Sequence, residues 1–120
     1  MRIVGVSSVA ALTGDGGQTA YSGSKAAMSA SVRVMAKELS AKGICINTIA
    51  PAMTNTDMMQ RYINHVGDDV YSNNLLQRQY LGIVEPQAVA NLIAFLLSPA
   101  ARFITGACIP IDSGYLTQGV

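Results

Sequence analysis

The sequence is poor in charge, and neither sign is concentrated along it. Only 12% of its 120 residues are Asp, Glu, Lys or Arg, and the formal net charge is +1. Because the Lys and Arg residues are scattered, the chain has no basic patch that would bind a nucleic acid or an anionic membrane. We therefore expect neither partner. Hydrophobic residues make up half of the composition, which is typical of one domain whose sheet is buried on both faces.

Cysteine is scarce as well. The two cysteines, Cys45 and Cys108, are far apart in the sequence, and neither belongs to a CxxC motif or has a His at zinc-ligand spacing. The sequence thus predicts no metal site. It favours two buried, reduced thiols, since free cysteine usually packs as a small hydrophobic residue.

Long hydrophobic runs are also missing. The nearest approach to the ~20 residues needed to span a bilayer is the stretch 88–97, and Asn91 interrupts it. The N-terminal MRIVGVSSVAALTG has the apolar and small residues of a secretory signal, but it carries a single charge and contains Ser7 and Ser8. We therefore expect a cytoplasmic protein that does not enter a membrane.

The residues that are present predict alternating strands and helices. Three short, largely β-branched runs without polar alternation, at 2–8, 44–50 and 107–112, predict buried parallel strands. The first is expected to be central, while Pro110 places the third at an edge or a strand end. Strand, helix and strand in this order predict a parallel unit of an α/β fold.

Two helices are predicted between these strands. The first covers 20–41 and ends at Gly43, a suitable C-cap. Its apolar stripe consists of Met28, Val32, Met35 and Leu39. The second helix begins at Glu85 and Pro86, because proline suits a first helical turn, and it stops near Ser98.

The segment 52–84 has a weaker pattern, with methionine, tyrosine and leucine set among Asn, Asp and Gln. We expect short helical pieces and loops. Because the segment follows the carboxyl end of a strand, one interpretation is a lid over an apolar substrate. The other is an irregular surface segment that packs its own apolar side chains.

Small residues crowd the first predicted helix beside its apolar stripe. Their side chains would allow another helix, from a second subunit, to approach closely. They would equally allow the helix to pack tightly on its own sheet, and the sequence does not rank one interpretation above the other.

Tyr21 and Lys25 lie four residues apart near the start of that helix, so they share a face, with the ammonium close to the phenol oxygen. A cation there favours the phenolate, which lets a tyrosine serve as acid and base. Ser8, after the first strand, would enter the crevice at the carboxyl ends of the strands, where its hydroxyl can bond a carbonyl oxygen. The set suits carbonyl reduction or alcohol oxidation, although a Tyr-x-x-x-Lys pair alone is more often a solvated helix contact.

Four blocks extend this pattern over nearly the whole chain: a strand ending in VSS, then GGQTAYSGSKAAM, INTIAPAMTNTDM, and EPQAVANLIAFLLSPAARFITGACIPIDSGY. In order and separation they resemble the C-terminal half of a short-chain dehydrogenase/reductase, and most of all the 3-oxoacyl-[acyl carrier protein] reductase type. The resemblance implies an α/β fold, half of a Rossmann-like doubly wound parallel sheet, with about three strands and flanking helices. Residues 1–120 would form a single partial domain, the catalytic and substrate-lid half.

The resemblance also implies catalytic roles in an NAD(P)-dependent oxidoreductase. Ser8 polarises the substrate carbonyl, Tyr21 delivers the proton, and Lys25 supports Tyr21 while it bonds the nicotinamide ribose. Ser7 has a structural role.

Further contacts follow from the same resemblance. Thr54 and Thr56 would contact the nicotinamide of NAD or NADP, together with Tyr21 and Lys25. Gln18 would lie near a small carbonyl or alcohol substrate, which also meets Ser8.

Two features of the family are missing from the sequence. Ala52 stands where the family usually has glycine after the proline, and no glycine-rich GxGxxG turn for the pyrophosphate is present. The GDGG at 14–17 does not match that motif and predicts an ordinary turn. The first strand would then lack a neighbour and become a bare sheet edge.

The chain is therefore expected to be a fragment, or to receive the other half from elsewhere. Alone, it is expected to show little or no turnover. The alternative function is an inactive remnant or an interaction subunit that forms a homo-oligomer through the 20–41 helix.

Overall fold

The computed structural model describes residues 1–14, 17–71, 73 and 76–117. Its strands are β1 (Arg2–Val6), β2 (Cys45–Pro51) and β3 (Cys108–Ile111), and its helices are α1 (Thr19–Leu39), α2 (Asp57–Val66), α3 (Asp68–Val70) and α4 (Pro86–Leu97). Short 3-10 turns cover Val9–Ala11, Ser40–Lys42, Leu76–Arg78, Pro99–Ala101 and Tyr115–Thr117. Asp15 and Gly16 of the predicted turn, and Leu75 of the predicted lid, lie outside the described residues.

The three strands form one parallel sheet in the order β1-β2-β3. β2 is the central strand, and its residues 46–50 are all buried, as expected for a parallel strand covered on both faces. β3 lies at one edge of the sheet. Proline is tolerated there because an edge strand needs no hydrogen bonds on its outer side. The predicted α/β architecture is confirmed.

β1 lies at the other edge and is less covered than its apolar sequence predicts. Ile3 and Val6 are 39% and 44% exposed, so the prediction of a central strand buried on both faces is wrong. β1 lies instead at a sheet edge, as predicted for a chain without the missing half. The reason is positional: in the described chain β1 pairs with β2 on one side and with no strand on the other. The strand also ends at Val6, two residues before the predicted end, although the Ser7 N–H still donates to the Ile49 carbonyl at 2.8 Å.

The helix α1 covers one face of the sheet. Its buried residues are Ser29, Val32 and Ala36, whereas Met35 of the predicted stripe is 37% exposed. That part of the prediction is wrong. A Cβ added to Gly106 would lie 3.2 Å from the Ala36 Cβ. The turn before β3 therefore lies so close to α1 that position 36 has room for alanine but not for a bulkier side chain.

The helix α4 covers the opposite face. Adjacent strand residues point to opposite sides of a sheet: Val4 packs with the α4 side, while a Cβ on Gly5 would lie 3.1 Å from the Met28 sulfur of α1. On the α4 side, Ile49 and Leu96 are at most 1% exposed. This two-sided burial gives the sheet its core.

One buried amide joins β2 to the turn before β3. Asn47 is 1% exposed. Its side chain donates to the Ile104 carbonyl at 2.9 Å and accepts from the Ala107 N–H at 3.0 Å. The two bonds satisfy backbone groups that no strand partner reaches, and they fix the path of the chain into β3.

The segment 52–84 packs much of its apolar surface on itself, as one of the two sequence interpretations predicts. Met59, Ile63 and Tyr71 form a buried cluster of their own, with Met53 and Ile83 packed against it. Thr54 also bridges to Val84 in parallel fashion. The segment therefore packs its own apolar side chains, and several of its residues also border the cavity described below.

Cys45 and Cys108 are unpaired and half-buried, so they are less enclosed than predicted. Across the described residues, no three His, Cys, Asp or Glu side chains cluster in a way that could hold a metal ion. In the same part of the chain, no helix has both the length and the apolar character to cross a membrane.

Candidate active site

A cavity of about 760 Å³ opens at the carboxyl ends of β1 and β2. Parallel α/β sheets hold ligands at this end, because the loops that follow the strands meet there. The residues predicted from the sequence to form a site all border this cavity: Ser8, Gln18, Tyr21, Lys25, Thr54 and Thr56.

The two serines after β1 have different environments. Ser7 is 3% exposed, and its hydroxyl donates to the Lys25 carbonyl at 3.1 Å and accepts from the Ser29 hydroxyl at 2.9 Å. These bonds tie the end of β1 to α1. Ser8 is half-buried, and its hydroxyl oxygen accepts from the Ala10 N–H at 3.1 Å. Because this bond uses a lone pair, the Ser8 O–H stays available as a donor toward the cavity.

Tyr21 and Lys25 border the cavity from the first turns of α1. The Lys25 ammonium lies 5.7 Å from the centroid of the Tyr21 ring, and Tyr21 is 44% exposed. Among the described residues that line the cavity, Lys25 is the one charged side chain. Its positive charge therefore favours an oxyanion at this end of the cavity.

A backbone contact holds the Lys25 side chain in place. Its ammonium donates to the Val6 carbonyl at 2.9 Å. Since the Ser7 N–H bonds to β2, the neighbouring Val6 carbonyl points toward the open edge of β1. An ammonium has three donors, so two remain for a ligand in the cavity.

The two threonines that border the cavity follow β2. The Thr54 hydroxyl donates to the Ala52 carbonyl at 3.0 Å. The Thr56 hydroxyl accepts from the Met59 N–H at 3.3 Å and caps α2. Thr56 therefore has a structural role that its sequence position did not predict, and its O–H can still donate.

Gln18 lies at the N-cap position of α1, but its side chain makes no capping hydrogen bond. It is half-buried and borders the cavity near Tyr21. The amide is thus placed to meet a ligand, while the Gln18 carbonyl accepts from the Ser22 N–H at 2.8 Å.

Other lining residues had no predicted role. Gln79 and Tyr115 are 3% and 6% exposed, and both border the cavity. Tyr115 is part of the last sequence block, so its proximity to the site could have been inferred from that block. Gln79 carries no local sequence signal for this position, because the residue that places it at the cavity, Met53, lies 26 residues away.

Among the described residues, the side-chain donors that border the cavity are hydroxyls, amides and one ammonium. The cavity is large enough for a small ligand, and Lys25 and the threonine hydroxyls supply hydrogen-bond donors along its polar side. With Lys25 as the one cation among the described lining residues, it offers no cluster of charge for a pyrophosphate.

Comparison with known proteins identifies the family. A family profile described as enoyl-(acyl carrier protein) reductase matches residues 1–116. A short-chain dehydrogenase family protein from Francisella tularensis has a similar structure, with a TM-score of 0.86 and 32% identity over 98% of this chain and 51% of that chain. The chain belongs to the short-chain dehydrogenase/reductase family. The family and fold predicted from the sequence are thereby confirmed.

Two further members of the short-chain dehydrogenase/reductase family are similar. A 3-oxoacyl-[acyl-carrier-protein] reductase from Vibrio cholerae is 33% identical over 113 residues, which cover 94% of this chain and 45% of the relative. A 7α-hydroxysteroid dehydrogenase, complexed with NADH and 7-oxo glycochenodeoxycholic acid, is 34% identical with a TM-score of 0.87, over 94% of this chain and 43% of that chain. The chain spans about half the length of the relatives it matches.

Proposed function

We propose that this short-chain dehydrogenase/reductase chain carries the reacting centre for hydride transfer between a nicotinamide cofactor and a carbonyl or alcohol carbon. One observation supports the proposal most directly: the Ser8 hydroxyl, the Tyr21 phenol and the Lys25 ammonium meet at one cavity, with Lys25 beside the Tyr21 ring. A donor, an acid/base group and a fixed cation are the components that carbonyl reduction requires.

Each residue has a separate step in the reduction. The Ser8 O–H donates a hydrogen bond to the substrate carbonyl oxygen. As the carbonyl carbon gains a hydride, Tyr21 transfers its phenolic proton to that oxygen, which yields the alcohol. The Lys25 ammonium stabilises the phenolate that remains until it regains a proton from solvent.

The cofactor proposed is NAD or NADP. When bound, the reduced nicotinamide supplies the hydride and is oxidised in the same step. Lys25 has two donors left for ribose hydroxyls, and Tyr21, Thr54 and Thr56 border the space for the ring. The NADH found in the 7α-hydroxysteroid dehydrogenase supports this assignment at the level of the family.

The proposed substrate is a small molecule with an apolar body. Met53, Met58, Met59 and Tyr62 line the cavity on the side of α2, and methionine accommodates varied apolar shapes. Ser8 and Gln18 supply polar contacts at the reacting end. A cytoplasmic location is proposed as well, because unpaired cysteines are typical of reducing compartments.

A binding experiment tests the proposal on the 120-residue chain. Because the described lining of the cavity has one cation and no second charge for a pyrophosphate, the probe is reduced nicotinamide mononucleotide, which lacks the pyrophosphate link and the adenosine. We expect saturable NMR shifts of the Thr54 and Thr56 amides at millimolar concentration. Absence of saturable shifts at this site would contradict the proposal.

A kinetic experiment then tests the role of Tyr21. With the same probe, or NADH or NADPH, and an acetoacetyl thioester, we expect little turnover, and we expect Tyr21→Phe to abolish what turnover there is, because general acid catalysis is lost. The matched control is Tyr71→Phe, which removes a phenolic hydroxyl away from the lining of the cavity. Equal rates for wild type and Tyr21→Phe would overturn the role of Tyr21.

A second proposed function is a homo-oligomeric interaction subunit. The solvent side of α1 supports it: Gly23, Ala27 and Ala30 are exposed there, beside Val34 at 58% exposure. Such a face allows a second helix to approach closely. Self-association without any nicotinamide binding would favour this function over the enzyme.

A further inference from the structure

Gln79 is a polar side chain buried in the wall of the cavity. It follows the 3-10 turn Leu76–Arg78 and is 3% exposed. A buried amide is costly unless its donors and acceptor are bonded. The Gln79 amide accepts one hydrogen bond and donates two. Its Oε1 accepts from the Met53 N–H at 2.8 Å, and its Nε2 donates to the carbonyls of Met53 at 3.2 Å and Gly82 at 3.1 Å.

The bonds to Met53 hold both backbone groups of one residue. Met53 lies two residues after β2 and directly before Thr54, at the point where the chain leaves the sheet. The Met53 carbonyl also accepts from the Val84 N–H at 3.0 Å, and the Asn55 N–H donates to the Val84 carbonyl at 2.9 Å. Gln79 thus acts as an additional strand partner where the parallel bridge between Thr54 and Val84 is only one residue long.

The residues on either side of Gln79 bind a different part of the chain. The Arg78 guanidinium lies 4.3 Å from the centroid of the Tyr115 ring. The Tyr80 ring packs so close to Gly114 that an added Cβ there would lie 2.8 Å from the ring. Residues 78–80 therefore connect two walls of the cavity, the loop 52–56 and the turn that contains Tyr115.

We infer that Gln79 is a positioning residue that sets the location of the loop 52–56, and with it Thr54 and Thr56, relative to Tyr21 and Ser8. The inference rests on the proposed function for its consequence, nicotinamide binding, but not for its geometry. An apolar side chain of equal length would fill the same space. It would leave the Met53 N–H without its partner, so the loop would lose its fixed position while the sheet and helices stay packed.

The test compares two substitutions at Gln79 with one control. Gln79→Met keeps the length of the side chain and removes every hydrogen bond, whereas Gln79→Asn keeps the amide but shortens its reach. The control is Gln87→Met on α4, where an exposed amide donates to Asn91 at 2.9 Å and Gln87 is not among the described residues that line the cavity. The readouts are amide hydrogen exchange at Met53, the urea midpoint, and the affinity for reduced nicotinamide mononucleotide.

We expect Gln79→Met to lower the protection of the Met53 amide by 10-fold or more and to weaken nucleotide binding by 5-fold or more. Gln79→Asn is expected to fail to restore either property, since its amide cannot reach both Met53 and Gly82. The control should match wild type in all three readouts. Protection of residues 46–50 in the central strand should change less than protection of Met53.

The outcomes separate the inference from the proposed function. Unchanged protection of Met53 in Gln79→Met overturns the inference. Lost protection with unchanged nucleotide affinity overturns the positioning role and leaves a structural one. If wild type binds no nucleotide, the proposed function fails, while Met53 protection still reports on the geometry.

A measurement on wild type covers the case in which the variants do not fold. The side-chain NH₂ of Gln79, bonded to two carbonyls, should exchange with solvent at least 10-fold more slowly than that of the exposed Gln87. Its resonances should shift when reduced nicotinamide mononucleotide binds. Equally fast exchange of the two side chains would overturn the inference.

Discussion

Tyr71 is a single residue whose hydroxyl is buried at a cost. The side chain is 8% exposed and packs with Met59 and Ile63, and its hydroxyl has no hydrogen-bond partner among the residues that the structure describes. Burial raises the pKa of the Tyr71 phenol above its ordinary value, because the phenolate loses hydration. The Tyr71 ring stabilises the fold by packing in the cluster, while its buried hydroxyl lowers the free energy of unfolding.

This environment predicts that Tyr71→Phe stabilises the fold. A buried hydroxyl without a partner costs about 1 kcal/mol or more, so the variant should gain roughly that amount at pH 7. Above pH ~10 the unfolded phenol ionises while the folded one keeps its proton, so wild type loses further stability as pH rises. Urea unfolding of both proteins at pH 7 and above pH 10 measures the difference, which should widen at the higher pH. A less stable variant at both pH values would contradict the prediction.

At the scale of elements, the turn after β3 depends on one glycine. Gly114 has φ of 86°, and Ser113 before it has φ of 52°. The Asp112 carboxylate accepts from the Gly114 and Leu116 N–H groups at 3.1 and 2.9 Å. This turn carries Tyr115 into the cavity wall, so its geometry matters for the site.

Gly114→Ala should therefore destabilise the protein and displace this turn. The left-handed backbone costs an L-residue about 1 kcal/mol or more, and the new Cβ would also meet the Tyr80 ring at 2.8 Å. Gly82→Ala is the matched control, since Gly82 has φ of 88° but open space around an added Cβ. In urea unfolding, Gly114→Ala should lose more free energy than Gly82→Ala. Equal losses would show that the contact with Tyr80 has no energetic weight.

At the scale of the whole molecule, the two exposed surfaces differ in kind. The open edge of β1 presents backbone groups, whereas the solvent side of α1 presents small side chains. An unpaired strand edge invites pairing with another chain. The α1 face is the surface for which we propose homo-oligomers.

Ala27→Arg should shift this association toward the monomer, because a long charged side chain keeps the two helices apart. Sedimentation velocity over a range of protein concentrations measures the shift, expected as a several-fold weaker association constant. Ala41→Arg, at an exposed position in the turn after α1, is the control and should associate like wild type. A monomeric wild type at all concentrations would contradict the proposal.

Much of this fold follows from local patterns in the sequence. β2 and α4 lie within a residue or two of their predicted bounds, because a run of apolar β-branched residues and a proline at a helix start are local signals. Met35 was wrongly placed on the buried stripe because helical periodicity allows either Met35 or Ala36 at that position. In the structure Ala36 is the buried residue, and it lies next to Gly106. Packing between distant segments leaves no local signal.

The candidate site divides in the same way. Ser8, Tyr21 and Lys25 belong to one short stretch, and their spacing places them together once β1 and α1 form. The Val6 carbonyl that holds Lys25, and the Gln79 amide that holds Met53, depend on contacts across 19 and 26 residues. Their roles could not be predicted. Every residue has a backbone carbonyl, and an isolated glutamine belongs to no recognisable motif.

The sequence by itself thus determined the order of strands and helices, the family, and the chemistry of the groups that line the cavity. These properties depend on residue types at short spacing. The tertiary structure alone decided how Lys25 is anchored to the Val6 carbonyl and that Gln79 bonds the backbone of the loop after β2. These depend on which distant segments meet, and that is settled by packing and hydrogen-bond satisfaction over the whole chain.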